Sequence, residues 1–257
     1  LAFAFGGLAD RFPASRIFAV SCAVGALANA LFALASAGLE SALVLRFVVG
    51  LALAGIYPLG MKLIVSWDPA GAGRSLGLLV GMLTLSTALP HGVRLAGANL
   101  PWQLVILASS ALALAGAALV LAQGDGPHLR HGAPGHPDGH VLRALRVPAY
   151  RASALGYFGH MWELYAFWTL VPLLVAGVVA APGGAAVSGW AFAIIGAGAL
   201  GSIAGGFASQ RVGSARVAGW ALAASGLCCL AFPLTAGWPA AARVAVPCGP
   251  GIAAGAG

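Results

Sequence analysis

An acidic residue and a histidine stand three positions apart inside a long apolar stretch of the sequence. Glu163 follows His160 by one helical turn, so the two side chains would share one face of a helix. Trp162 and Tyr165 flank them. A carboxyl and an imidazole at this spacing can hold a proton or a cation. We therefore predict that these four residues form a substrate- or proton-binding site, with a purely structural interhelical hydrogen bond as the alternative.

Arg46 is a further candidate for this site. It lies near one end of another apolar stretch. Its positive charge could attract an anionic substrate. It could equally anchor its helix, because a long basic side chain can extend to the membrane surface. The sequence leaves both roles open.

The amino-acid composition indicates whether the chain folds in water or in a lipid bilayer. Of the 257 residues, 60% are hydrophobic and 7% are charged, and the mean hydropathy is +0.94. Soluble domains carry about 25% charged residues, and disorder requires low hydrophobicity. The net charge of +7 forms no basic stripe, so no nucleic-acid partner is expected. We predict an all-α polytopic membrane protein whose partner is the lipid bilayer.

The apolar stretches predict helices that cross this bilayer, each about 20 residues long. Seven are expected, near 17–37, 42–65, 73–95, 101–122, 152–177, 187–209 and 217–237. Arginines occupy every second connection, and basic loops stay on the cytoplasmic side. The long connection at 123–151 is one of them and is therefore predicted to be cytoplasmic.

This connection divides the chain into two predicted bundles. The expected domains are an N-terminal helical bundle at 1–122, the linker at 123–151, a C-terminal helical bundle at 152–237 and an uncertain tail at 238–257. Glycines along 73–81 and 189–206 form faces of small residues that favour close helix packing. The sequence starts inside an apolar stretch, so we expect a truncated chain.

Two turns in the chain share their spacing. Gly6, Arg11 and Arg16 align with Gly206, Arg211 and Arg216 when the sequence is shifted by 200 residues. Each copy joins two predicted helices on the cytoplasmic side. The repeat indicates that the two bundles arose by duplication.

The first of these turns resembles the signature of a transporter family. Residues 6–11, GGLADR, match the first six positions of G-x-L-A-D-R-x-G-R-[KR], the motif of the major facilitator superfamily (MFS) of secondary transporters. Pro13 and Ala14 depart from it, standing where the family has Gly and a basic residue. Residues 46–50, RFVVG, and 55–58, GIYP, are similar to the family's fourth helix.

The resemblance implies a two-bundle, MFS-like fold, of which this chain would cover the end of helix two to helix nine out of twelve. It implies alternating-access transport of a small solute, driven by a proton or ion gradient. Glu163 favours H⁺ as the coupling ion, as in a symporter. The implied setting is a monomer in the plasma membrane, here a bacterial inner membrane. The alternative is a truncated remnant that inserts but does not transport.

The resemblance also implies a gate on the cytoplasmic side. In the family the signature turn biases one access state. The corresponding cytoplasmic gating motif here comprises Gly6, Asp10, Arg11 and Arg16, together with Gly206 and Arg211 of the second copy.

Enzymatic and cofactor chemistry has little support in the sequence. Residues 196–201 match G-x-G-x-x-G, but they lie inside an apolar span with no preceding strand. The linker histidines are irregularly spaced among Gly and Pro and favour a solvated tract over a metal site. We predict no cofactor, no metal and no enzymatic activity.

Overall fold

Seven long helices carry the apolar stretches of the sequence. The computed structural model describes residues 12–96, 100–129, 145–179 and 184–256. Its long helices are α1 Ala14–Ala35, α2 Leu39–Trp67, α3 Ala72–Leu95, α4 Trp102–Gln123, α5 Pro148–Val178, α6 Gly184–Val212 and α7 Ser214–Ala231. A 3₁₀ turn, Phe232–Thr235, extends α7. Each of the seven is long and apolar enough to cross a membrane, which confirms the predicted all-α polytopic class.

The helix ends follow from local residue chemistry. Pro13 and Pro101 immediately precede α1 and α4, and Pro148 opens α5, where a missing N–H costs no intrahelical hydrogen bond. Only Gly213 separates α6 from α7, and its φ of 91° lies in the left-handed region that favours glycine. The structure therefore turns at residues that the sequence already marks as helix breakers.

Two short helices occupy the region that the sequence left as an uncertain tail. They are α8 Ala240–Ala245 and α9 Cys248–Ala256. α9 packs closely on α6, since a Cβ placed on Gly198 would lie 2.8 Å from the carbonyl oxygen of Gly251. The prolines in this region interrupt the apolar periodicity. Because of these prolines, the sequence alone does not reveal that residues 240–256 form helices that pack against the bundle.

The helix contacts divide the chain into two compact units. The first takes in residues 1–72 and 99–136, and the second takes in 73–98 and 137–257. α3 therefore belongs to the second unit, although the sequence placed it in the N-terminal bundle. The predicted boundaries of the two bundles and the linker stay a prediction.

Within the first unit, α1 packs against both α2 and α4. The carboxylate of Asp125, just after α4, caps the start of α1. The backbone N–H groups of Ala14 and Ser15 donate to its two oxygens at 3.0 and 2.7 Å. A negative charge at a helix N-terminus is stabilising. The backbone N–H of Gly126 also donates to Ser66 Oγ at 3.2 Å, so the start of the predicted linker is fixed against α1 and α2.

Within the second unit, the glycine face of α3 meets the glycine face of α6. A Cβ on Gly77 would lie 2.6 Å from the carbonyl oxygen of Ser202 and 2.8 Å from the Cα of Gly206. A Cβ on Gly206 would in turn lie 2.6 Å from the carbonyl oxygen of Gly73. These neighbours are backbone atoms, so no rotamer change can make room. The two backbones approach as closely as they do because neither carries a side chain there.

We expect Gly77→Ala to destabilise the protein, whereas Gly50→Ala should not. Gly50 also lies inside a long helix, but a Cβ there meets no atom within 4 Å. Overpacking at Gly77 should cost about 1–3 kcal/mol, while alanine at Gly50 slightly favours the helix. Thermal unfolding of both variants in the same detergent gives the comparison. Equal midpoints for the two variants would contradict the close backbone contact.

Candidate functional site

Glu163 lies midway along α5 and contacts a second helix. The hydroxyl of Ser225, on α7, donates a short hydrogen bond to Glu163 Oε1. On the other side, Oε2 lies 3.8 Å from Nδ1 of His160, one turn earlier on α5. The side chains of His160 and Glu163 are 14% and 27% exposed. The structure thus brings together the two ionisable residues that the sequence singled out.

Nδ1 of His160 and Oε2 of Glu163 face each other, and each of these atoms can accept a proton. Nδ1 of His160 is buried and has no hydrogen-bond partner among the described residues. At 3.8 Å its separation from Oε2 is longer than a hydrogen bond. A proton on either atom makes that atom a donor, and a small shift of the two side chains toward each other would bring the atoms within hydrogen-bond distance. The arrangement can therefore hold a proton between a carboxylate and an imidazole, in a helix where unpaired charge is costly.

Trp162 and Tyr165 lie on a different face of α5. They are 81% and 62% exposed, whereas Glu163 turns toward α7. Together with Phe158 and Thr169 they line an open cavity of about 610 Å³ along α5. Tyr165 also packs edge-on against Trp168, with ring centroids 5.5 Å apart. The four residues predicted as one site therefore form two adjoining surfaces, one ionisable and one aromatic.

Arg46 belongs to a polar network in the first unit. Its Nη2 donates to Asn29 Oδ1 at 2.7 Å, and its guanidinium lies 3.9 Å above the ring of Phe32. The amide nitrogen of Asn29 in turn donates to Ser109 Oγ at 3.1 Å and Ser110 Oγ at 3.0 Å. The network joins α1, α2 and α4. A structural role for Arg46 is thereby visible, while its predicted role in substrate binding stays a prediction.

Sequence reasoning missed Asn29 and Ser225. Neither belongs to a motif, and single polar residues recur throughout the apolar spans. The available signal was Asn29 itself, because a side-chain amide inside a membrane helix needs a partner from another helix. Ser225 gave no signal, since a serine hydroxyl can be satisfied by its own helix.

The structure describes only three of the six predicted gating residues, Arg16, Gly206 and Arg211. Gly6, Asp10 and Arg11 lie outside the described residues. Arg16 is in the first turn of α1 and Arg211 in the last turn of α6, and Arg211 is exposed. Gly206 packs against Gly73 and Gly77, so close helix contact accounts for this glycine. The gating function of the set stays a prediction.

Comparison with known proteins identifies the family. A family model described as Major Facilitator Superfamily matches residues 1–257. The niacin transporter NiaP of Acinetobacter baylyi is 38% identical over 96 residues. That alignment covers 34% of this chain and 22% of the length of NiaP.

We expect Asn29 and Arg46 to be energetically coupled. Asn29→Ala removes the acceptor of the guanidinium and should cost about 1.5–3 kcal/mol, the range for a hydrogen bond to a charged group. Arg46→Ala should cost less once Asn29 is already absent. A double-mutant cycle on thermal unfolding measures the difference, and contacting residues show about 0.5–3 kcal/mol of coupling.

Ser86→Ala is the matched control for this cycle. Ser86 is exposed and donates to Leu83 O of its own helix at 2.7 Å, so it should be independent of Arg46. Strictly additive losses for Asn29→Ala and Arg46→Ala would show that the network does not hold the arginine.

Proposed function

The chain belongs to the major facilitator superfamily, and from this premise we propose that it moves a small solute across the membrane by alternating access, coupled to H⁺ at Glu163. Membership of this family and similarity to a named transporter support solute transport rather than catalysis. Alternating access and proton coupling are the finer parts of the proposal.

One observation carries the proton-coupling part. Glu163 lies at the middle of a membrane-length helix with one oxygen bonded to Ser225 and the other facing His160 Nδ1. An ionised side chain at the centre of a membrane helix costs at least about 2.5–3.5 kcal/mol. Protonation removes that cost. A group whose charge depends on the proton concentration on either side of the membrane can bias one conformation over another.

The aromatic surface of α5 supports a proposal for the class of solute. Trp162 and Tyr165 lie on an open and mainly apolar surface that residues of α5 alone line. Indole and phenol rings pack well against a flat aromatic solute. NiaP is named for niacin, an aromatic acid. We propose a small aromatic carboxylate as the solute. As a separate proposal, Arg46 of the first unit takes part in substrate binding through its positive charge.

The proposal also includes the setting of the protein. The chain is an integral membrane protein. We propose a monomer in a bacterial inner membrane, working as a symporter, with the linker 123–151 in the cytoplasm. The distribution of arginines between alternate connections supports this orientation.

We expect Glu163→Gln to separate proton coupling from solute binding. In proteoliposomes, the wild-type chain should accumulate labelled niacin when a proton gradient is imposed. It should also exchange external labelled niacin for internal unlabelled niacin without a gradient. Glu163→Gln should lose at least tenfold of the gradient-driven accumulation and keep the exchange, because exchange requires no net proton movement. Glu40→Gln, in the exposed first turn of α2, is the matched control and should retain both.

Each other outcome excludes part of the proposal. Wild-type pH dependence in Glu163→Gln would remove the proton role from Glu163. Exchange of a sugar or an amino acid in place of niacin would overturn the solute class. A wild-type chain that neither accumulates nor exchanges niacin, amino acids, sugars or organic acids would be the non-transporting remnant.

A further inference from the structure

Ser225 is bonded differently from Thr84, Thr169 and Ser202, three other hydroxyl residues in the described long helices. Thr84, Thr169 and Ser202 each donate to the carbonyl oxygen four residues earlier in their own helix, at 3.0, 2.8 and 3.1 Å. This is the usual way in which a helix satisfies a hydroxyl in an apolar environment. Ser225 is 1% exposed, yet it donates across to Glu163 on another helix. The hydroxyl of Ser225 therefore donates to the carboxylate of Glu163 and not to a carbonyl oxygen of its own helix.

The hydrogen bond from Ser225 holds the carboxylate of Glu163 in an orientation that directs its other oxygen at His160. With Oε1 occupied by the hydroxyl, Oε2 is the oxygen directed at Nδ1, 3.8 Å away. Rotation of the carboxylate would break the bond to Ser225. The orientation of the proton-accepting oxygen thus depends on a residue of α7, although both ionisable groups belong to α5.

We propose that Ser225 is the positioning residue of the proton site: it stabilises the ionised form of Glu163 and aims its free oxygen at His160. The inference rests on the proposed role of Glu163 in proton coupling and adds how that site is regulated. When Glu163 takes up a proton, the donated bond from Ser225 weakens, because a neutral carboxyl is a poorer acceptor than a carboxylate. Protonation therefore loosens the link between α5 and α7.

The other titratable groups around this site are few. On α7, Cys229 lies one turn beyond Ser225, and Cys228 precedes it. Of the other elements that contact α5, α6 has no ionisable side chain between Gly184 and Gln210, while α8 and α9 contribute Arg243 and Cys248. Among the described residues, these elements therefore bring no second carboxyl to Glu163, and its ionisable neighbour on α5 is His160.

Labelling with dicyclohexylcarbodiimide tests the inference without requiring transport. This reagent reacts with protonated carboxyl groups in apolar surroundings, so the labelled fraction of Glu163, measured by mass spectrometry, should rise as the pH falls. Ser225→Ala should move the midpoint of this labelling to higher pH by about one unit, because the charged form loses its hydrogen-bond donor. The pH profile of niacin accumulation should move in the same direction.

Two further variants keep the test independent of folding and packing. Ser225→Thr and Ser225→Val have nearly the same shape, but only threonine retains the hydroxyl. Threonine should keep the wild-type midpoint and valine should shift it as alanine does. Ser202→Ala removes an equally buried hydroxyl that bonds to its own helix and should leave the midpoint unchanged.

The outcomes distinguish this inference from the proposed function. Equal labelling midpoints for Ser225→Thr and Ser225→Val would overturn the positioning role, whatever the transport assays show. The expected shift in a chain that fails to transport would uphold the positioning role and overturn the transport proposal alone. Labelling of wild-type Glu163 that does not change with pH would overturn both the proton role and the inference.

Discussion

Lipid provides no hydrogen-bond partners, so each polar side chain inside an apolar helix must find one within the protein. This constraint organises the polar residues of the chain. Hydroxyls such as that of Thr84 use the carbonyls of their own helix. Asn29 and Glu163 cannot do so, and they bond to other helices instead. Two of the polar contacts between the described helices involve Arg46 and Glu163, the arginine and the glutamate that the sequence selects as functional candidates.

The same constraint explains why glycine is prominent in the helix contacts. Inside a bilayer, apolar side chains gain little by leaving lipid for protein, so helices associate through close packing and a few hydrogen bonds. Gly77 and Gly206 allow α3 and α6 to approach backbone to backbone, and Gly198 does the same for α6 and α9. Such surfaces carry no large side chains that would lock them together. They suit a protein in which helices shift against one another, as the proposed transport requires.

The sequence was sufficient for the helices and for the proximity of Glu163 to His160. Seven apolar stretches gave seven helices, because membrane length and hydropathy constrain a span more strongly than local propensity does. Glu163 and His160 were predictable because an ionisable pair within a span is costly and rare. The contacts of Ser225 and Asn29 could not be predicted from the sequence. They depend on which helix lies opposite, and no residue pattern indicates the neighbouring helix. The helices at 240–256 were missed because proline there breaks the apolar run.

The central claim is that Glu163 changes its protonation state within the membrane. Infrared difference spectroscopy of the reconstituted chain, recorded as the pH is lowered, measures this directly through the C=O stretching band of a protonated carboxylic acid. The account predicts that one component of this band grows on acidification, is missing from the difference spectrum of Glu163→Gln and is retained by Glu40→Gln. A spectrum of Glu163→Gln identical to that of the wild type would contradict the account.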